Sequence, residues 1–519
     1  MRKNFRSVSR GAGKFAATLA RQWAALCSTY LPLKPPGSIW RYSRAANPDD
    51  PDQGWKLHVS ATILTANRTL QAVAPFLHER GTQFKAVASL DELSKLNSGI
   101  YYGYSQVGKF LTVYPNSNSE ALFLAERLHE LTREMAGPAA PFDEQFQRNS
   151  CIYYRYGSFK ALEIENPNGS PTLAIRDPQG HLVPDEREAL KPAWIPTLFS
   201  TTQVVTSENN PLKTSYYVLS ALVQRGKGGV YKAIDVTADP PRFCVIKEGR
   251  QHGETNWDSR DGRWRVGNEE RVLKALRKAG VEVPCIYNSF DLENNFYLVT
   301  EFVAGDTLQA RLSRRRRRLS SAQVLKFAAS LAKLLSRVHA AGWVWRDCKI
   351  TNLIVDDEGC MRLLDFEGAC RIAQPDPEPW GSPGYVPPDW RSGHVSQVPE
   401  AQDLYAMGAI IYLMLTGVLP STSRPTPVQK LRPNVHPILV STIGDLLNPD
   451  PHQRPSANAI SRTLAQAFPE RSAFNSTVRV QAGDRSPRNV RPNADCRKWV
   501  LSSCKGPKQN VPRKTPPTT

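Results

Sequence analysis

Two stretches beyond the middle of the chain hold the parts of a phosphoryl-transfer site. WRDCKITNLIV (345–355) and LLDFEGA (363–369) place Asp347, Lys349, Asn352 and Asp365 close together in sequence. Moving a phosphoryl group onto an alcohol needs a base for the attacking hydroxyl, oxygens that hold a metal, and cations around the moving phosphate. Asp347 can be the base, Lys349 a cation beside the transferred group, and Asn352 with Asp365 the magnesium ligands. Upstream, Lys247 in VIKE reads as a strand residue and Glu269 in NEERVLKAL opens a helical repeat. That pair can tie a nucleotide-gripping lysine to a helix. Each residue alone is an ordinary solvated charge, but chance rarely supplies all six in this order.

A second group lies about two hundred residues earlier. GWKLHVSAT (54–62) reads as a strand, so Lys56 and His58, two apart, share a face. Lys85 in QFKAV, Lys109 in GKFLTVYP and Arg155 in YYRYG add cations from other strand-like segments. Removing phosphate by β-elimination needs a base for the α-proton, an acid for the leaving phosphate, and cations that hold it meanwhile. A lysine base needs a lowered pKa, which neighbouring cations and partial burial supply. The plainer readings are a hydrogen-bonded strand histidine and surface charges at Lys109 and Arg155.

These groups need domains to position them. The 519 residues suffice for two or three domains with cores of their own. The net charge of +19 suggests nucleic acid, yet residues 1–48 and 471–519 each contribute +9, leaving the middle nearly neutral. A basic groove needs charge on the folded body, so no nucleic-acid partner is expected. The nine cysteines are scattered singly without a CxxC pair, which suits a reducing cytoplasm and offers no zinc spacing. The apolar run 404–420 reads as a buried helix, so no transmembrane segment is expected.

Residues 1–48 read as a basic arm, with Phe15, Leu19, Trp23 and Leu26 near helical spacing; an amphipathic presequence is the alternative. Residues 49–210 read as an α+β domain. Its strands are WKLHVSAT, KFLTVYP (109–115) and IYYRYGSF (152–159), and a helix over 117–135 is capped by Ser117 or Ser119. That helix presents Leu122, Ala125, Leu128 and Leu131 on one face, and a loop rich in Pro, Asn and Gly follows 159. From 216 strands give way to helices, with Val324, Phe327, Leu331, Leu334 and Val338 on one stripe of 320–342. The tail from 471 reads as disordered.

The second half, 216–470, resembles the eukaryotic-type protein kinase fold. Matching positions are the Gly-rich RGKGGVY with Gly226, Gly228, Gly229 and Val230, then Lys247, Glu269, a hinge in TEFVAG at Glu301, WRDxKxxN, DFE, GSPGYVPPD (381–389) and Arg454. The resemblance implies ATP as phosphoryl donor and Mg2+. Trp345 replaces the usual His of the catalytic loop, and Glu367 the Gly of the magnesium motif. Asp389 stands for the customary Glu and can pair with Arg454. Ser382 is the serine or threonine between Asp365 and Asp389, so activation by loop phosphorylation is not expected.

With GWKLHVSAT, FKAV, GKFLTVYP and YRYG ahead of it, the whole resembles the class III and IV lanthipeptide synthetases, whose first domain is similar to phosphothreonine lyases. That resemblance implies Lys85 as general base and His58 as general acid. Lys56, Lys109 and Arg155 would clamp phosphate, and the substrate would be a Ser/Thr-containing precursor peptide. The cyclase domain of those enzymes is not expected within the remaining residues, so ring closure falls to a possible separate cyclase. The run SRRRRRL (313–319) offers a surface for an acidic peptide. The expected architecture is a multidomain α+β chain: a lyase-like domain, a bilobal kinase and basic tails. A kinase whose first domain only binds phosphopeptide, and a non-catalytic pseudokinase scaffold, are the alternatives.

Overall fold

A computed structural model describes residues 2–160, 162–165, 169–185, 191–199, 210–314, 318–388, 397–421 and 425–467, with backbone alone over 2–13. The expected disordered tail, Asp389 and Arg315 to Arg317 lie outside these residues.

The first half is built from α1 (Arg2–Tyr30), β1 (Trp40–Tyr42), β2 (Gln53–Val59), α2 (Ala66–Glu79), β3 (Gln83–Val87), α3 (Leu90–Ser98), β4 (Leu111–Tyr114), α4 (Asn118–Leu131), β5 (Glu144–Gln145) and β6 (Ile152–Ser158). The six strands form an antiparallel sheet in the order β1-β3-β4-β2-β6-β5. Trp55, Leu57 and Val59 alternate with Lys56 and His58 along β2. With Phe84, Ala86, Leu111, Val113, Ile152 and Tyr154 they turn one sheet face into the core. Helices cover that face, which leaves the other to the polar set. Ser89 and Ser117 cap α3 and α4 by accepting from Glu92 N–H and Glu120 N–H.

The segment read as an arm is not free of this domain. Trp23, Cys27 and Leu31 lie in the core, and the Asn67 amide donates to the Leu19 carbonyl at 2.9 Å. A buried leucine such as Leu31 contributes about 2 kcal/mol, which a solvated arm forgoes. Residues 40–42 then add the edge strand β1 beside β3. The loop expected after 159 likewise contains a small antiparallel sheet of β7 (Glu163–Glu165), β8 (Pro171–Arg176) and β9 (Leu182–Pro184). Proline is tolerated in β8 because it stands at the strand's first residue. The α4 helix buries Ala121, Leu124, Ala125 and Leu128, a face turned slightly from the one expected.

After α5 (Pro211–Thr214) comes a five-stranded sheet ordered β10-β11-β12-β14-β13. Its strands are β10 (Tyr216–Arg225), β11 (Gly228–Asp235), β12 (Arg242–Gly249), β13 (Ile286–Leu292) and β14 (Asn295–Glu301), with α6 (Gly262–Lys278) against it. The α6 helix starts seven residues before Glu269 because the Asp261 carboxylate accepts from Trp264 N–H at 2.9 Å. The helical lobe holds β15 (Asp306–Thr307), α7 (Leu308–Ser313), α8 (Ser321–Ala340), β16 (Trp343–Val344), β17 (Leu353–Val355), β18 (Met361–Leu363), β19 (Cys370–Arg371), α9 (Ala401–Thr416), α10 (Val428–Leu431), α11 (Pro437–Leu446) and α12 (Ala457–Ala467). Ser320 and Gln323 close a capping box on α8, whose expected apolar stripe is buried. Nearly all of α9 is buried, which accounts for its apolar run. Among the described residues no helix is long and apolar enough to cross a membrane.

Candidate functional sites

The register of the first sheet lines Tyr42, Lys85, Thr112, His58, Tyr153 and Gln145 into one row. Residues directly opposite in a ladder share a face. His58 and Lys85 therefore rise from the same face two strands apart, about 10 Å at the backbone by strand spacing. Lys56 stands opposite Arg155 on that face. The Lys85 Nζ sits 4.7 Å from the ring centroid of Trp40, 5.9 Å from Tyr42 and 5.8 Å from Tyr114. Such ring faces attract a cation. Two of the three rings come from the segment expected to be an arm.

His58 and Lys109 meet through Asp143, a residue that carried no signal in the sequence because it follows GPAAPF without periodicity. Its Oδ2 lies 2.5 Å from His58 Nδ1 and its Oδ1 lies 2.9 Å from Lys109 Nζ. The carboxylate has no exposed surface. Burial pushes the His58 pKa down to about 4 against the pull of Asp143, and the Lys109 and Lys56 charges lower it further. Burial alone would raise Asp143, but the imidazole and Lys109 hold it well below the carboxylate range. An ionised Asp143 accepts a hydrogen bond from His58 Nδ1–H, which keeps that proton on the ring and leaves Nε2 as the working atom. Arg155 Nη2 lies 2.5 Å from Asp185 Oδ1, and Asp185 Oδ2 accepts from Ser158 N–H at 3.1 Å. Lys56, His58, Lys85 and Arg155 thus share one face, Lys109 joins His58 through Asp143, and Asp143 and Asp185 fix three of the five.

In the kinase half, Lys247 Nζ donates to both Glu269 oxygens at 2.8 and 2.7 Å and to Asp365 Oδ1 at 3.1 Å. Asp347 Oδ2 accepts from Lys349 at 2.7 Å and from Asn352 Nδ2 at 2.9 Å. Ser382, whose role the sequence did not reveal, donates to Asp347 Oδ1 at 3.0 Å and accepts from Lys349 at 3.0 Å. Burial, and then the nearby Asp365 charge, push the Asp347 pKa up despite Lys349, which favours proton acceptance. Burial would raise Asp365, but Lys247, Lys227 and Lys349 hold it ionised. The Asn352 amide donates through Nδ2, which leaves its oxygen as a ligand atom. A carboxylate and an amide oxygen suit Mg2+, so Asp365 and Asn352 fit the metal a kinase domain implies. The hinge Glu301 accepts from Arg362 at 3.2 Å and joins the lobes.

The departures at Trp345 and Glu367 have structural answers. The Trp345 indole N–H donates to the Asp365 carbonyl at 2.9 Å. Its backbone N–H and that of Arg346 donate to Asp403 at 2.8 and 2.7 Å. A ring N–H therefore still fixes the turn that carries Asp365, whose φ of 65° is strained for a non-glycine residue. Trp345→Phe should lower stability by about 1–3 kcal/mol, the cost of orphaning a buried acceptor. Trp345→His, which keeps a ring donor, should recover part of it. Denaturant unfolding measures both, and a wild-type midpoint for Trp345→Phe would rule the role out.

Glu367 pairs with Lys227, in the Gly-rich turn between β10 and β11. At Gly228, φ is 152° and a Cβ would fall 1.7 Å from the Glu248 carbonyl oxygen, so the turn demands glycine. Val230 stands opposite Lys247 in the ladder, and Gly229 opposite Gln224. Arg454 donates to the Ala401 and Asn448 carbonyls at 2.9 Å each; its expected partner Asp389 is outside the described residues. Of the arginine run, Arg314 pairs with Asp306 at 2.6 Å and Arg318 reaches the Leu431 carbonyl at 3.4 Å.

Comparisons with known proteins match both halves. Residues 34–210 match the RamC N-terminal domain and residues 217–464 the protein kinase domain. The probable SapB synthase of Streptomyces coelicolor is 31% identical over 402 residues, covering 73% of this chain and 42% of that protein. Serine/threonine-protein kinase F of Synechocystis is 32% identical over 219 residues, 39% of this chain and 44% of the relative. The hormonally up-regulated neu tumor-associated kinase of Mus musculus is 29% identical over 254 residues, 43% and 35%. The chain thus spans less than half the length of these curated relatives. It is similar, half by half, to a RamC-type N-terminal domain and to a protein kinase domain, the arrangement by which it resembles the lanthipeptide synthetases.

Proposed function

We propose that the chain phosphorylates Ser or Thr side chains of a precursor peptide and then eliminates the phosphate, leaving dehydroalanine or dehydrobutyrine. In the kinase half, Asp347 orients the attacking hydroxyl and accepts its proton, and Lys349 faces the transferred phosphoryl group. Lys247, held by Glu269, grips the ATP phosphates. Asp365 and Asn352 would hold Mg2+, which supplies positive charge to those phosphates when bound.

The phosphopeptide then occupies the polar face of the first sheet. Lys85, as the neutral amine, takes the α-proton. The electrons of that C–H bond form the Cα=Cβ bond as the Cβ–O bond breaks, and the leaving phosphate takes a proton from His58. Lys56, Lys109 and Arg155 surround the departing charge. His58 is neutral in the crowd of cations; the incoming phosphate brings the negative charge that favours its imidazolium. A single observation carries this reading: the register places His58 and Lys85 in one row on one face. One feature favours a second reading, in which the first domain only binds phosphopeptide. The three rings around Lys85 suit an ammonium better than a base.

Mass spectrometry of a Ser/Thr peptide incubated with the chain, ATP and Mg2+ separates the two. Loss of one water supports both steps, whereas a gain of one phosphoryl group that persists supports binding alone. An unchanged peptide would sink both. Any ring closure would belong to a separate cyclase or to further sequence.

A further inference from the structure

Helix α3 ends where the two halves meet, and three contacts cross there. The Gly226 N–H donates to the Ser98 carbonyl at 3.0 Å. A Cβ on Gly226 would lie 1.7 Å from the Asn97 carbonyl oxygen, so glycine alone permits the approach. The Arg250 guanidinium lies 5.0 Å over the Tyr104 ring, and Trp257 packs on the N-terminal core. The kinase side of this seam is the Gly-rich turn and its support, since Arg250 N–H donates to the Lys227 carbonyl at 2.9 Å. Lys227 in turn reaches Glu367, two residues past Asp365.

On the other side the same contacts lead to the elimination residues by two routes. The buried Asn97 donates to the Ala61 carbonyl at 2.9 Å, three residues past His58, and accepts from Gly108 N–H at 3.2 Å, next to Lys109. Tyr104 meets Phe142 edge-on with ring centroids 5.9 Å apart, and Phe142 precedes Asp143, which holds His58 and Lys109. Nucleotide phosphates under the Gly-rich turn would compete with Glu367 for Lys227. A turn pinned to α3 by Gly226 and to Tyr104 through Arg250 cannot shift without moving what those residues hold.

Resting on the two-site reading above, we infer that Asn97 and Tyr104 are positioning residues shared by both sites, and that nucleotide and phosphopeptide alter each other's affinity through them. Linkage makes the effect reciprocal: each ligand changes the other's Kd by one common factor, about fivefold or more.

The test uses the full chain, ADP with Mg2+, and a peptide carrying α-methyl phosphoserine. That residue has no α-proton, so binding is read without turnover. Calorimetry should give the same shift in ADP affinity with peptide as in peptide affinity with ADP. Asn97→Ala and the less buried Tyr104→Ala should each bring the factor towards one while both ligands still bind singly, a result that a merely structural role does not produce. Equal affinities with and without the second ligand in the wild type overturn the coupling and leave the two-site reading standing. Absence of peptide binding overturns both.

Discussion

Asp347→Asn is expected to cut peptide phosphorylation by about two to four orders of magnitude, the usual contribution of a positioned acid or base. The Asp347 oxygens gather Lys349, Asn352 and Ser382, so its carboxylate both takes the proton and organises the cation beside the phosphoryl group. Asparagine preserves the shape and, with its oxygen at the Oδ2 position, the bonds from Lys349 and Asn352, while it loses the base and the acceptor for Ser382. Among the described residues the Asp347 side chain bonds Lys349, Asn352 and Ser382, none of which lies in the Gly-rich turn or the first sheet. Elimination from a peptide phosphorylated beforehand should therefore proceed at the wild-type rate. Phosphorylation by Asp347→Asn at the wild-type rate would remove Asp347 from the mechanism.

Lys85→Ala should block the other half of the sequence: phosphopeptide accumulates, and elimination falls by about 10²–10⁴-fold. Lys85→Arg decides between base and binding cation. An arginine restores a cation among Trp40, Tyr42 and Tyr114 but holds its proton at any working pH. If Lys85 is the base, Lys85→Arg binds phosphopeptide and still fails to eliminate. Should Lys85→Arg eliminate as the wild type does, the proton is taken elsewhere and Lys85 serves only to hold phosphate. Mass spectrometry of the product and calorimetry with the α-methyl peptide read the two properties separately.

Both halves were legible from local chemistry to different depths. The kinase residues declare themselves because Asp347, Lys349, Asn352 and Asp365 fall within one short stretch, and Lys247 and Glu269 sit on a strand and a helix whose patterns are strong. In the first domain the period of two in β2 paired Lys56 with His58, but joining them to Lys85, Lys109 and Arg155 rested on the family resemblance and on no spacing in the sequence. The basic segment at the start misled because charge dominates its composition, while its docking rests on apolar residues, with Trp23, Cys27 and Leu31 buried in the core and Leu19, Leu26 and Tyr30 packed against it. Glu367 departs from the magnesium motif, and nothing local in the sequence links it to its partner Lys227 in the Gly-rich turn.

By itself, the sequence determined which groups are present and which neighbours along the chain share a strand face or a helix, since those relations depend on backbone periodicity alone. Tertiary structure decided everything that depends on sheet register and on loops. It put His58 in a row with Lys85, brought the patternless Asp143 to His58 and Lys109, and set Gly226 against the end of α3. Register and loop paths follow from how whole faces bury, and no short window of residues encodes that.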